Sequence, residues 1–491
     1  MKTYWRLVVL TLLWWPTLAN AGWLDKVADI LKEVSANDNI EESRPAAQLI
    51  EAKNGDPRLP KHWQTYWLDE PVFQGRVFLA ATGKLDGPVI MLVHGLGQNG
   101  LRDWLPVVPA LEQHYRIVMV DLPGFALSAP PKAKLSPSHY AELLHFIKPY
   151  FSAAAVTVVG HSMGAAVALR YAHQYPNDTH KIGLIDAAGI LQRTAFIKHS
   201  ATGRIPTNPE VVSQGILEYA VGAQDLGNAM IEKMIGLPDP TVWLGKSETA
   251  WGIALGAYPN VNAAMGLIEE DFAAAAFETP LPVAILWGKN DPIAPLRTGQ
   301  ALVNTLPDSH LTIIDGAKHV PMASHSAAVE QWFLHTLLAD KGWGAAANAT
   351  KHSAQGANQN TPKDFNCEHQ AGKVLTGQYR HISLNDCTGI VLQDVIAEKI
   401  VLRDSVIEIN NSHIGATSIA IDASDSVAVV TGSHIAGAVH LNDARLDIAG
   451  SQFTTDKPFV VNAESRIVAS VCRIGQQRYL HGDMVLHQQH Y

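Results

Sequence analysis

The chain has 491 residues, with 37 Lys+Arg against 46 Asp+Glu and a formal net charge of −9. It is too long for one compact core and is read as two or three domains. No basic cluster accompanies that charge, which argues against a nucleic-acid partner. The three cysteines, Cys367, Cys387 and Cys472, all lie late. The first two-thirds is therefore neither a disulfide scaffold nor a thiol enzyme, and no Cys/His spacing suits a metal or asks for a cofactor.

The chain opens with "MKTYWRLVVLTLLWWPTLANA". Lys2 and Arg6 precede an apolar run from Leu7 to Trp15, and Ala19-Asn20-Ala21 follows. Charge, short apolar core and A-x-A make a secretory signal peptide cleaved after Ala21, so the mature protein is expected to be exported, periplasmic or secreted. The apolar core is too short to span a bilayer, which takes ~20 residues. Next, "GWLDKVADILKEV" sets Trp23, Val27, Ile30, Leu31 and Val34 on one helical face, for docking on the body or for membrane contact.

From Trp63 to about Leu338, short apolar strands alternate with helical stretches: "PVIMLV", "YRIVMV", "VTVV", "KIGLI", "PVAIL" and "HLTII". Such Val/Ile runs between helices predict a parallel sheet buried on both faces. An insertion at about 191–279 carries only helical patterns and reads as a cap. Its Met230, Met234, Trp243, Trp251 and Met265 are candidates for cap core or for an apolar substrate pocket. The small, polar, aperiodic segment 342–363 reads as a linker, leaving residues 364–491 as a separable domain. There, stretches starting at Ile382, Ile400, Ile419 and Val439 overlay with a period near 20 residues. Each combines alternating apolar stretches with an Asp/Asn/Ser corner. That is the pattern of a β-solenoid, similar to a right-handed parallel β-helix. Cys367 and Cys387 take the same position in successive repeats, which predicts a disulfide between them and leaves Cys472 free. Asp422, Asp425 and Asp443 are read as solvated corners rather than as a lyase site. The solenoid is assigned a surface for cell-surface or carbohydrate contact.

One stretch carries chemistry. "VTVVGHSMGAAVALRYA" passes from a β-branched strand to an Ala-rich helix through Gly160, Ser162 and Gly164. The glycines leave room for a sharp turn that exposes Ser162 at its apex, a G-x-S-x-G elbow. A serine nucleophile needs an adjacent base, and the base needs a carboxylate. Asp291 in "AILWGKNDPIAP" stands just past a strand, and His319 in "LTIIDGAKHVPMASH" follows the next one. Asp315, His325 and His161 are the rivals; Asp315 ends the wrong strand, His325 opens the final helix, and His161 should point away from the apex. For an oxyanion, the N–H of Met163 is one donor, and Leu96 in "VIMLVHGLGQNG" is the second.

Taken together, "HGLG", "DLPGFALS", "GHSMG", "GKNDPIAP" and "GAKHVP" resemble the α/β-hydrolase superfamily, in particular its capped lipase, esterase and C–C-bond hydrolase branches. The resemblance spans about Trp63 to Leu338. It implies an α/β fold with a helical cap, followed here by the all-β domain. It also implies Ser162 as nucleophile, His319 as base, Asp291 as its orienting carboxylate, and Leu96 and Met163 as oxyanion donors. The expected reaction is hydrolysis of a small-molecule or lipid carboxylic ester through an acyl-enzyme, without a cofactor. A C–C-bond hydrolase and a non-catalytic binding protein on the same scaffold are the alternatives.

Overall fold

The computed structural model describes residues 48–486 and 489–490, apart from 54, 132, 193–194, 196–250, 252–254, 256, 340–361 and 416–417. The signal segment, the first amphipathic stretch, all of the linker but its last two residues, and most of the cap, including Met230, Met234 and Trp243, lie outside the described residues; Lys363, assigned to the linker, already opens a strand. No helix among the described residues is long and apolar enough to cross a membrane.

Nine strands form the first sheet: β1 Leu49–Glu51, β2 Gln64–Glu70, β3 Gly75–Gly83, β4 Val89–Val93, β5 Arg116–Asp121, β6 Val156–His161, β7 Thr179–Ile185, β8 Val283–Gly288 and β9 Ser309–Ile314. Their order is β1-β2-β3-β5-β4-β6-β7-β8-β9. From β5 to β9 neighbouring strands are parallel, as the Val/Ile runs require. β1, β2 and β3 join antiparallel at one edge, so the sheet is mixed rather than wholly parallel. The reason is local: β2 and β3 are linked by a four-residue turn, too short for a crossover, and only an antiparallel pair can close it. β4, β5, β6 and β8 are buried along their whole length. Helices α1 Pro137–Ile147 and α2 Met163–Gln174 pack on one face, with Leu143, Leu144, Val167 and Leu169 in a single apolar cluster. Trp104, Met322, Trp332 and Phe333 cover the other face.

The described end of the cap is helical, with α3 Pro259–Ile268 and α4 Ala273–Glu278. Trp251 and Met265 pack together with Leu255, and the Trp251 indole N–H donates to Asn262 Oδ1 at 2.7 Å. Both are buried in the cap's own core.

The C-terminal domain is all-β, and its strands pair mostly in parallel. In one ladder Ile407 pairs with Ala428, Ala428 with Leu446, and Leu446 with Ile467. The corners have a repeated chemistry. Asp386, Asp404, Asp425 and Asp443 all hold left-handed backbone, with φ of 51°, 47°, 49° and 52°, a conformation that Asp tolerates better than most residues. The amide after the corner is satisfied by a stacked hydroxyl: Cys387 N donates to Ser405 Oγ, Ser405 N to Ser426 Oγ, and Ala444 N to Ser465 Oγ. Cys367 and Cys387 are disulfide-bonded, and Cys472 is free and buried. The register differs from the expected one. Cys367 pairs with Leu384, three residues before Cys387, so the bond reaches past a corner instead of joining equivalent positions.

The two parts share a core. Ala449, Val468 and Val471 of the β domain belong to the same apolar cluster as Ala301 and Leu302 of α5 Leu296–Thr305. Arg473 lies over the Phe277 ring at 4.7 Å, and Gln192 N donates to Ser470 Oγ. An expected separable domain is thus docked on α4 and α5.

Candidate active site

Strand β6 ends in the buried His161 and hands the chain to Ser162, whose φ of 56° and ψ of −118° are costly for a residue with a Cβ. The surroundings hold that strain in place. Ser162 N donates to Ile185 O of β7, and its carbonyl accepts from Ala165 N and Ala188 N. A Cβ at Gly160 would stand 1.9 Å from Gly164 O, and one at Gly164 would stand 2.2 Å from Val93 O. Only glycine fits at either position.

The apex meets two loops from the same sheet edge. The Ser162 Oγ lies 2.9 Å from His319 Nε2, and His319 Nδ1 lies 2.7 Å from Asp291 Oδ2. Asp291 Oδ1 is occupied by the backbone, accepting from Ile293 N at 2.7 Å and Ala294 N at 3.1 Å. One oxygen is therefore fixed by its own turn, while the other faces the imidazole. With Nδ1–H donating to Asp291, Nε2 is left to accept the serine proton. All three residues are buried or nearly so, with exposures of 5%, 9% and 5% for Ser162, His319 and Asp291. That environment strengthens each interaction.

The loop after β4 completes the surroundings. His94 donates from Nδ1 to Gly95 O and accepts at Nε2 from Leu122 N, which fixes the loop that follows. Gly95 lies so close to the apex that a Cβ there would stand 2.8 Å from Ser162 Cβ. Leu96 is the next residue, half-buried beside the elbow, and Met163 opens α2 on the other side of Ser162.

The rivals fall elsewhere. Asp315 is exposed and paired with Lys289 at the surface. His325 contacts Ser324. His161 is turned away from the apex, as expected, but it has a job the sequence did not show. Its Nε2–H donates to the His319 backbone carbonyl at 2.6 Å. Burial, with the neighbouring His319 second, lowers its pKa to about 3, so it stays neutral. A second group missed by sequence reading is Asp186, fully buried just after β7. Its only signal was an aspartate ending an apolar strand. Among the described residues no group of His, Cys, Asp or Glu is arranged to hold a metal.

Residues 88–326 match the family model described as the alpha/beta hydrolase fold. This part of the chain is an α/β hydrolase by fold. Among its relatives, a pimeloyl-acyl-carrier-protein methyl ester esterase of Chromobacterium violaceum is 28% identical over 254 residues, 51% of this chain and 93% of that one. Lipase 1 of Psychrobacter immobilis is 24% identical over 250 residues, 50% of this chain and 76% of the relative. A 2-hydroxy-6-oxo-6-(2'-aminophenyl)hexa-2,4-dienoic acid hydrolase of Metapseudomonas resinovorans is 24% identical over 243 residues, 49% of this chain and 80% of the relative. The α/β-hydrolase match ends before the C-terminal β domain.

Proposed function

We propose that the protein is an exported serine ester hydrolase of the lipase or carboxylesterase type. The observation that carries the reading is the unbroken contact Ser162–His319–Asp291, at 2.9 Å and 2.7 Å. His319 Nε2 takes the hydroxyl proton as Ser162 Oγ attacks the ester carbonyl, and Asp291 stabilises the imidazolium that forms. The N–H groups of Leu96 and Met163 stabilise the tetrahedral oxyanion. His319 then protonates the departing alcohol oxygen, leaving an acyl-enzyme on Ser162. Water activated by the same imidazole releases the acid and restores the serine. No step requires a cofactor.

Export rests on the signal segment before Gly22. It also weighs against a C–C-bond hydrolase of intracellular aromatic breakdown, the reading that the relative from Metapseudomonas suggests. A purely binding role leaves Ser162, His319 and Asp291 together without a purpose. The C-terminal domain is read as a right-handed parallel β-helix-like solenoid for surface or carbohydrate contact, supported by parallel ladders whose corner residues Cys387, Ser405 and Ser426 follow one another at 18 and 21 residues. Purified mature protein assayed with p-nitrophenyl esters of increasing acyl length tests the activity. Turnover that varies with chain length supports it. Turnover of vinylogous diketones with none of any ester would favour the C–C reading.

A further inference from the structure

We infer that Asp186 is a neutral carboxylic acid in the folded protein and donates its proton to Asp291, acting as a positioning residue for the Asp291–His319 pair. The inference deepens the triad reading above and rests on it for its catalytic consequence.

Asp186 follows β7 at the sheet edge that carries Ser162, and it is fully buried. Its backbone is left-handed, with φ of 45°, and its N–H donates to Leu286 O of β8. The side chain is tied to the same strand end. Oδ1 accepts from Gly288 N at 2.8 Å, and Gly288 O in turn accepts from Asp291 N at 3.1 Å. Asp186 thus grips the turn on which Asp291 stands.

The other oxygen decides the protonation state. Oδ2 is buried and finds no hydrogen-bond donor among the described residues, and no cation pairs with Asp186 there. A carboxylate at this position would be an acceptor with nothing to accept from, beside a second carboxylate. Two such charges sharing one buried site cannot both persist. A carboxylic acid removes both difficulties, because Oδ2–H becomes a donor and Asp291 is the acceptor beside it. Burial first, and the Asp291 charge second, push the Asp186 carboxyl well above the usual carboxylate range. The titratable group that acts on it is Asp291, from the turn after β8. The consequence is that the two carboxyls carry one negative charge between them. His319 faces that single charge, on an Asp291 oriented by a donor from below.

Infrared difference spectra of the wild type against Asp186→Asn test the protonation state directly. The wild type should show the carbonyl stretch of a neutral carboxylic acid across pH 5 to 8, and the variant should lack it. In Asp291→Asn, burial, the larger cause, still keeps Asp186 neutral, so the band should persist at a shifted frequency. A band retained in that variant assigns the proton to Asp186 even if Asp186→Asn fails to fold, whereas its loss there would place the proton on Asp291 and overturn the inference. Kinetically, Asp186→Asn supplies an amide donor to Asp291 and an acceptor to Gly288, so its kcat should stay within about threefold of wild type, with the acid limb unshifted. Asp186→Leu should lose about tenfold in kcat with little change in KM, the effect of one lost hydrogen bond. A wild type without the band, or an acid limb moved down by about one pH unit in Asp186→Asn, as removal of a nearby charge would do, overturns the inference. The infrared band reads Asp186 whether or not an ester is turned over. A protein inactive on esters that keeps the band would refute the esterase reading and leave this inference standing.

Discussion

Arg297, the second residue of α5, reaches out of the hydrolase domain and pairs with Asp447 of the β domain at 2.8 Å. The same guanidinium donates to Thr431 Oγ1, Val430 O and Asp447 O, so most of its donors are spent across the boundary. α5 begins directly after the turn that fixes Asp291. The β domain is therefore bolted to the helix next to the acid of the site.

That relationship predicts a single folding unit. Arg297→Ala should cost about 2–3 kcal/mol, because it leaves the half-buried Asp447 without its cation. Gly450 sits so tightly on α5 that a Cβ there would stand 2.5 Å from Ala301 Cα. Gly450→Val should accordingly push the domains apart and destabilise at least as much. Removal of the β domain after residue 341 should bare this apolar face and give a protein that melts lower or aggregates. Denaturant unfolding of each variant, followed by tryptophan fluorescence, checks the order. A truncated protein as stable as the full chain would show that the docking contributes nothing.

A second prediction concerns the cysteines. The Cys367–Cys387 bond closes a loop of 20 residues, for which chain entropy gives roughly 3 kcal/mol. Reduction should loosen the start of the β domain and leave ester turnover unchanged. Cys472 is buried, and burial pushes its thiol up to about 12. It should therefore resist alkylation until the protein unfolds. Mass mapping after alkylation of the native, unreduced protein should find no modified cysteine, and labelling of Cys367 or Cys387 would contradict the bond.

The third prediction is a pH dependence of stability. His161 titrates near 6.5 in the unfolded chain and at about 3 when folded. Below pH 6.5 the unfolded chain therefore binds a proton that the native state refuses. Stability is lost as pH falls from 6.5 toward 3, at about 1.4 kcal/mol per unit. A glutamine can still donate to the His319 carbonyl but does not titrate. Between pH 6.5 and 5 the wild type should lose about 2 kcal/mol more than His161→Gln. Asp186, whose folded pKa is raised, contributes in the opposite sense but equally to both proteins, and cancels in the difference. Parallel stability curves would remove His161 from the account.

The elbow was legible because its glycines answer a local steric demand: Gly160 and Gly164 leave no room for a Cβ. Asp291 and His319 were legible because each follows an apolar strand in an order that brings it to one edge. Asp186 has the same sequence signature as any strand-terminal aspartate. Its role depends on Gly288 and Asp291, more than 100 residues away, and no local pattern encodes that. Arg297 is an ordinary exposed-looking cation on a helix in sequence, so the docking of the two domains was invisible and the polar linker suggested independence. The cysteine pair was read correctly, but its register was off by three positions. A corner placed between Leu384 and Cys387 does not alter the repeat length. The antiparallel strands β1, β2 and β3 were missed because they lack the long Val/Ile runs that mark the buried parallel strands.

The most direct test of the central claim is kcat/KM on a p-nitrophenyl ester for Ser162→Ala, His319→Ala and the double variant. Groups that act as one unit fail as one unit. Each single substitution should lower kcat/KM by at least about 10⁴-fold, with the double variant no lower than either. Circular dichroism should be unchanged, since neither side chain carries much packing. Ser162→Ala retaining more than about one-hundredth of wild-type kcat/KM, or losses that multiply in the double variant, would contradict a Ser162–His319 nucleophile and base.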